Sequence, residues 1–257
     1  MKIYGNIKIY LLGAASLVML IILAVMMWQV WYGPMYVQPN QTIKVHRGTR
    51  LVALADMLER DQLITHPRLF IWCAHIAGYR YKLRYGEFKL SPNMPARELM
   101  HHIATGKDTV SYHITFLEGW TFAQMKEALA KNPNVYHWMK HKSDAEIMAE
   151  LGLAGPSPEG LFFPNTYRFR WGASDLSILK LAASDMQDRL AKVWENRSAD
   201  LPYHSAYEAL IVASLIESET PISRERPLVA SVIVNRLRKG MRLQLDPTVL
   251  YGLHKRY

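Results

Sequence analysis

The sequence predicts an α+β protein carried on an N-terminal transmembrane helix. Three observations predict it. Not one charged residue lies between Lys8 and Lys44. Beyond that stretch the apolar pattern switches between strand-like alternation and the helical period of 3.6. Half of the 257 residues are apolar and 21% are charged, a balance that excludes a disordered or collagen-like chain. The formal net charge is +9, compatible with an anionic lipid or polymer nearby and equally with a mildly basic solvated surface. The single cysteine, Cys73, excludes an internal disulfide, and within apolar LFIWCAHIA it is expected to be a buried, unreactive thiol. No Cys/His grouping has zinc spacing and no glycine-rich phosphate loop is present, which counts against zinc-finger and nucleotide-motor readings, and no nucleic-acid partner is expected.

Ile9 to Val30 reads IYLLGAASLVMLIILAVMMWQV, enough to supply the ~20 apolar residues a bilayer requires. A buried soluble helix is the alternative, but those usually break sooner. A cleaved signal peptide is the other, and bulky MMWQVWY stands where small residues would be needed for cleavage. An uncleaved anchor is preferred. Tyr10 at one end and Trp28, Trp31 and Tyr32 at the other are expected interfacial aromatics. Lys2 and Lys8 place the N-terminus in the cytoplasm by the positive-inside tendency. Residues 1–8 are thus read as a cytoplasmic N-terminus, 9–32 as the membrane helix and 33–41 (GPMYVQPNQ) as an uncharged linker.

Thr42 to His46 alternates as a strand, and Arg47-Gly48 turns the chain. Leu51, Leu54, Ala55 and Leu58 mark a helix, and a second follows His66-Pro67 with Leu69, Phe70, Cys73 and Ile76 or Ala77 on its apolar side. Tyr85 to Leu90 reads as a strand, and Pro95 to Ile103 as a third helix stopping at Thr105-Gly106. The strand–helix–helix–strand order with its early Gly48 resembles a LysM module, a small fold associated with N-acetylglucosamine polymers. A generic α+β spacer fits the same order. Residues 42–106 are taken as this unit.

Residues 107–257 form the second unit. Val110 to Phe116 alternates as a strand, and Thr121 with Gln124 makes a capping box at the start of the next helix. The segment from Glu159 to Tyr167 (EGLFFPNTY) reads as a packed aromatic loop, and Leu176 to Val193 as a longer amphipathic helix.

Ser205 to Thr220, SAYEALIVASLIESET, carries the chemistry. Ser205 and Glu208 form another capping box. Ala209 to Ile216 is apolar nearly all round, which predicts burial on most sides, with Glu217 at the far end. A carboxyl on such a face loses hydration, which disfavours its charged form and suits a general acid working near neutral pH. A fraying helix end with both Glu217 and Glu219 solvated is the other reading. Glu219 points about 200° from Glu217 around the helix, so the two cannot share one proton site. Pro221 ends the helix, and Pro227 opens the next, which closes at Gly240.

The run ASLIESET, then ERPLVASVIVNRL, then GMRLQLDPTVLYG resembles the endolytic murein transglycosylase (YceG-like) family, as do the earlier EGWT and EGLFFPNTYRF. So does the order of anchor, LysM-like module and catalytic domain. The resemblance implies a mixed α/β catalytic domain over 107–257. It implies Glu217 as the catalytic glutamate, with Glu225, Asn235, Gln244 and Asp246 lining the glycan cleft. Each of these four has a structural alternative: Glu225 could pair with Arg224 or Arg226, and Asp246 could cap the turn before Pro247. Glu159, Thr166 and Tyr167 are weaker candidates for cleft or packing roles. Two departures stand out. Leu245 replaces the small polar residue usual between the Gln and the Asp, and the sequence closes at Tyr257 where family members continue, so the catalytic domain is expected to be C-terminally incomplete.

The implied activity is lytic cleavage of the bond between N-acetylmuramic acid and N-acetylglucosamine in nascent peptidoglycan, leaving 1,6-anhydro ends, with no metal or organic cofactor. The implied location is the bacterial inner membrane, with the catalytic part in the periplasm beside peptidoglycan synthases (penicillin-binding proteins). A membrane-tethered peptidoglycan-binding adaptor is the alternative, and a membrane-anchored spacer for partner proteins a third reading.

Overall fold

The computed structural model describes residues 2–155 and 157–252, with the side chains of residues 2–10, 250 and 252 outside that description. The positions that carried the orientation argument, Lys2 and Lys8, and the first interfacial aromatic, Tyr10, are among those side chains. Tyr257 also lies outside the described residues. The chain forms two compact units. One runs through Tyr112 and takes in Arg170–Gly172; the other comprises His113–Phe169 and the chain from Ala173 onward.

The first unit opens with a single long helix, α1 (Lys2–Tyr32), unbroken because the apolar run holds no proline before Pro34. β1 (Thr42–Val45), α2 (Leu51–Arg60), α3 (Pro67–Ile76), β2 (Gly86–Lys89) and α4 (Ala96–Thr105) follow. β1 and β2 pair antiparallel, Thr42 opposite Lys89 and Val45 opposite Gly86. Their inner faces and the helices close a core around Leu54, Leu58, Phe70, Phe88, Leu99 and Ile103. Gly106, at φ 77°, ends α4 in the left-handed conformation that a glycine adopts without strain. Glu87 is buried in this unit, and its carboxylate accepts from Thr42 Oγ1 at 2.7 Å and from the Tyr112 hydroxyl. That hydrogen bond to Glu87 pushes the Tyr112 phenol up to about 12. Cys73 is buried as expected, and burial pushes its thiol up.

Two findings differ from the reading of the anchor. From Leu11 to Val25 the helix is exposed and apolar, but its last turns are not free. Trp31 is buried, its ring 6.1 Å from Phe70 and 6.2 Å from Tyr79, with Met27 and Val30 packed beside it. It is a core residue, not an interfacial aromatic, because α1 continues past the apolar stretch straight into the following fold. Trp28 and Tyr32 remain exposed and stack on each other at 5.9 Å. Moreover the segment after α1 is held to the fold. Met35 is buried, and its N–H donates to Met94 O at 3.0 Å.

The second unit is mostly helical. β3 (Ser111–Thr115), whose first two residues belong to the first unit, leads to α5 (Phe122–Lys131), β4 (Val135–Tyr136), a 3-10 turn at Trp138–His141 and α6 (Asp144–Leu151). β5 (Thr166–Arg170), β6 (Ala173–Ser174) and α7 (Asp175–Glu195) come next. β3 pairs with β5 and β4 runs parallel to β6, so the strands make short two-stranded ribbons rather than one sheet. The Thr121–Gln124 capping box forms with both of its bonds. A second box at Ser143 and Glu146 starts α6. There, bonds from the Ser143 N–H and hydroxyl, and then Lys142, hold the Glu146 carboxyl down at about 2. Buried Asp175 accepts from the N–H groups of Trp138, Met139 and Leu176, which fixes the 3-10 turn against the start of α7.

The aromatic segment expected as a loop is one only up to Asn165; Thr166 to Arg170 is a strand with alternating burial. Thr166 Oγ1 lies 2.8 Å from Thr115 Oγ1 across the ribbon. The Tyr167 hydroxyl donates to Phe163 O at 2.7 Å, and burial raises its phenol. Glu159 accepts from the Phe122 N–H at 2.8 Å, at the orphan donors of the α5 N-terminus. These three therefore have structural partners within the fold.

Candidate active site

The last three helices carry the candidate residues. α8 (Ala206–Glu219) starts where Ser205 Oγ accepts from the Glu208 N–H at 3.2 Å. The reciprocal bond is displaced by one residue: Glu208 Oε2 accepts from the N–H of His204 rather than that of Ser205. α8 stops at Thr220 in an extended conformation before Pro221. α9 (Arg226–Arg238) begins with Pro227 in its first turn, and α10 (Asp246–Gly252) follows a connection through Gly240. These helices share a small core of Val212, Leu215 and Ile233, with Ile216, Val229, Leu237, Leu243 and Leu245 packed against it. Leu245 thus has a packing role.

α8 is not buried on most sides. Only Val212 and Leu215 are buried; Ala213 and Ser214 are exposed, and Ile211 is 45% exposed. The reason is that α8 meets α7, α9 and α10 along one side, so an apolar surface alone does not decide which side is covered. Two serine hydroxyls on the open side satisfy themselves locally, Ser214 Oγ on Ile211 O and Ser218 Oγ on Ser214 O. Near the start of α8, Leu210 lies close to Gly160, so the EGLFFP segment reaches this helix.

Glu217 does not sit in an apolar seat. Its side chain is 31% exposed, and Oε2 lies 2.9 Å from Nη2 of Arg226. The sequence offers Arg226 as a partner for Glu225, and no periodic signal points from it to Glu217. Glu225 instead accepts from the Thr220 hydroxyl at 2.9 Å, while Thr220 Oγ1 accepts from the Ile222 N–H at 3.1 Å. Thr220 is buried. The elbow between α8 and α9 is therefore closed by two nested pairs: Thr220–Glu225 inside and Glu217–Arg226 outside. Arg226 Nε is buried without an acceptor among the described residues.

The elbow thus pairs Glu217 and Glu225 with different partners, Arg226 and Thr220. Asn235 is exposed further along α9, Gln244 is exposed at φ 49°, and Asp246 is exposed in the first turn of α10. Among the described residues none of these three hydrogen-bonds to Glu217. The connection before α10 is held by Arg236 Nη1, which donates to Leu243 O, and the end of α9 by Arg238, whose Nη2 lies 2.9 Å from Asp200 Oδ2. Hydrogen bonding from Ser198, and then the charge of Arg238, lowers the Asp200 carboxyl. Among the described residues no group of three or more His, Cys, Asp or Glu is placed to hold a metal ion. Chemically, the elbow offers one part-exposed carboxylate, paired at Oε2 with a guanidinium, at the end of α8.

The model of the YceG-like family matches residues 43–257. A Bacillus subtilis protein named endolytic murein transglycosylase is 26% identical over 236 residues, covering 83% of this chain and 64% of its own length. A Streptococcus pneumoniae protein of the same name is 22% identical over 242 residues, covering 83% of this chain and 43% of its own. A crystal structure of a YceG-like protein from Listeria monocytogenes superposes with a TM-score of 0.44 at 23% identity, covering 85% of this chain and 77% of that one. The chain spans less than two thirds of the length of the two named transglycosylases.

Proposed function

That the chain belongs to the YceG-like family is the premise from which we propose that it is a membrane-anchored endolytic lytic transglycosylase of peptidoglycan. The observation that carries the reading is Glu217, a carboxylate at the end of α8 held by Arg226, in the segment that resembles the family's catalytic run. Two named endolytic murein transglycosylases among the relatives support it.

Most glycosidases need two carboxylates, one to protonate the leaving oxygen and one to act as nucleophile or base. A lytic enzyme manages with one, because the sugar supplies its own nucleophile. Glu217, in its protonated form, gives its proton to the oxygen joining C1 of N-acetylmuramic acid to O4 of N-acetylglucosamine. As that C1–O bond breaks, positive charge develops on the muramyl ring. The muramyl C6 oxygen then closes onto C1, and its proton passes to the Glu217 carboxylate. One bond breaks, one forms, and the carboxyl ends the cycle as it began, acting first as acid and then as base. Arg226 positions the carboxylate, and Glu225, Asn235, Gln244 and Asp246 contribute contacts to sugar hydroxyl and N-acetyl groups.

On the same reading α1 spans the inner membrane with its N-terminus in the cytoplasm, supported by an apolar helix over Leu11–Tyr32 that is exposed from Leu11 to Val25. The βααβ unit is LysM-like and binds glycan, supported by its element order and its antiparallel strand pair. The second unit works in the periplasm beside the synthases that make the strand.

The test is to incubate the full chain in detergent with uncrosslinked glycan strands and to analyse the products by mass spectrometry. Anhydromuramyl ends are expected, and none from Glu217→Gln. Reducing ends alone would make the protein a hydrolase. Retention on insoluble cell wall without cleavage would make it a glycan-binding adaptor.

A further inference from the structure

α3 fixes where the βααβ unit meets lipid. The Cys73 thiol donates to Met27 O of α1 at 3.6 Å, and the Phe70 ring packs on Trp31. Residue 73 therefore faces 27 while 70 faces 31, so α3 runs antiparallel to the end of α1. Each further residue of α3 stands up to ~1.5 Å nearer the N-terminal end of α1. The uncharged stretch of α1 starts at Ile9, and the ~20 residues that fill a ~30 Å hydrocarbon layer end near Trp28. That is the turn on which α3 docks. The C-terminal end of α3 is thus level with the membrane surface.

The side chains there are unusual for a water-facing surface. Trp72, Ile76 and Tyr81 are 67%, 75% and 85% exposed. Trp72 and Ile76, four apart, share one flank of α3. The Arg80 guanidinium lies over the Tyr81 ring at 5.1 Å. Between Asp61 and Glu87 the chain holds no acidic residue, while Arg68, Arg80, Lys82 and Arg84 are all exposed. Aromatics and aliphatics set among cations, in a stretch of chain without acids, match the interface of an anionic leaflet.

We propose that this flank of α3 and the loop after it, through Trp72, Ile76, Tyr81, Arg80 and Lys82, rest in the anionic headgroup layer of the leaflet from which α1 emerges. The inference rests on the reading of α1 as a spanning helix. The partner is the bilayer itself, since α3 docks on α1 at Met27 and Trp31, where the uncharged bilayer-length stretch of α1 ends.

Depth-dependent quenching tests it on the full chain. Cys73→Ser removes the one native thiol and keeps a donor toward Met27. A nitrobenzoxadiazole dye is then attached at Leu17→Cys, Arg68→Cys, Ile76→Cys or Tyr81→Cys. The protein is reconstituted into phosphatidylcholine vesicles with and without phosphatidylglycerol. Shallow spin-labelled lipid should dim positions 76 and 81 about twofold, as for groups seated in the headgroup layer. Position 68, on the same flank but two turns and up to ~12 Å farther out, should stay bright. Deep spin label should quench position 17. Quenching at 17 without quenching at 76 and 81, or equal quenching at 68 and 76, overturns the proposal and leaves the spanning helix standing. No quenching at 17 overturns the spanning helix and the proposal with it. Quenching at 81 that does not fall when phosphatidylglycerol is omitted overturns the electrostatic part.

Discussion

Glu217 Oε2 and Arg226 Nη2 lie 2.9 Å apart, joining the last turn of α8 to the first turn of α9. Their side chains are 31% and 39% exposed, so the pair is accessible to solvent and adds little stability; about 1 kcal/mol is the upper range for such pairs. Its consequence is geometric. It holds one carboxylate oxygen against a guanidinium.

Glu217→Gln keeps the shape and removes the proton carrier. Glycan cleavage should fall by at least about a hundredfold, the usual weight of a general acid or base. Far-UV circular dichroism and the unfolding midpoint should stay near those of the parent. Arg226→Ala should lower kcat more than it raises KM, and Arg226→Lys should restore part of kcat, because a cation at that place still orients Oε2. Initial rates on strands of defined length give both numbers.

Thr220→Val replaces a buried hydroxyl by a methyl group of similar size. It removes the bond to Glu225 and leaves the Ile222 N–H without its acceptor. Two lost bonds at a buried position should cost about 1–3 kcal/mol, read from denaturant unfolding. Amide exchange at Ile222 should quicken.

Trp31→Ala removes an aromatic buried against Phe70 and Tyr79. A loss of about 3–5 kcal/mol is expected from the βααβ unit. Limited proteolysis should then cut within residues 33–41, a segment the parent keeps packed through Met35.

Much of this architecture was legible because it is local. The period-3.6 rows at Leu51–Leu58 and the alternation at Thr42–Val45 need only neighbours along the chain, and so does the Thr121–Gln124 box, which forms both bonds. Glu217 at the end of α8 was placed by the same local logic. Its environment was not, because burial depends on how many helices cover α8, and α8 is covered along one side only. The pairing with Arg226 runs across an elbow whose turn no period encodes. Trp31 was misjudged because an aromatic at the end of an apolar run has the same sequence signature whether it faces headgroups or a protein core. The Ser143–Glu146 box was readable as S-x-x-E, but α6 is too short to raise a periodic signal around it.

Acid titration offers a fourth check. The bonds from Ser143, with Lys142 adding to them, hold the Glu146 carboxyl at about 2, down from an ordinary 4.5. A lowered carboxyl contributes stability that is fully present above 4.5 and lost as the pH falls through about 2. Stability measured by urea unfolding should therefore decline across that window, and Glu146→Gln should flatten this share of the decline. Carboxyl chemical shifts should show the group still ionised at pH 3.

The helix that enters the fold at Trp31 does so without a swivel. A flexible leash would let its cargo lean, roll and drift away from lipid, at a distance growing with leash length. Here the helix runs straight into the core of the first folded unit through Trp31. On the proposed reading of α1 as a spanning helix, the unit would tip only as the helix tips. Its standing height would follow the thickness of the bilayer rather than the wandering of a chain, and a thinner or thicker membrane would raise or lower it as a whole.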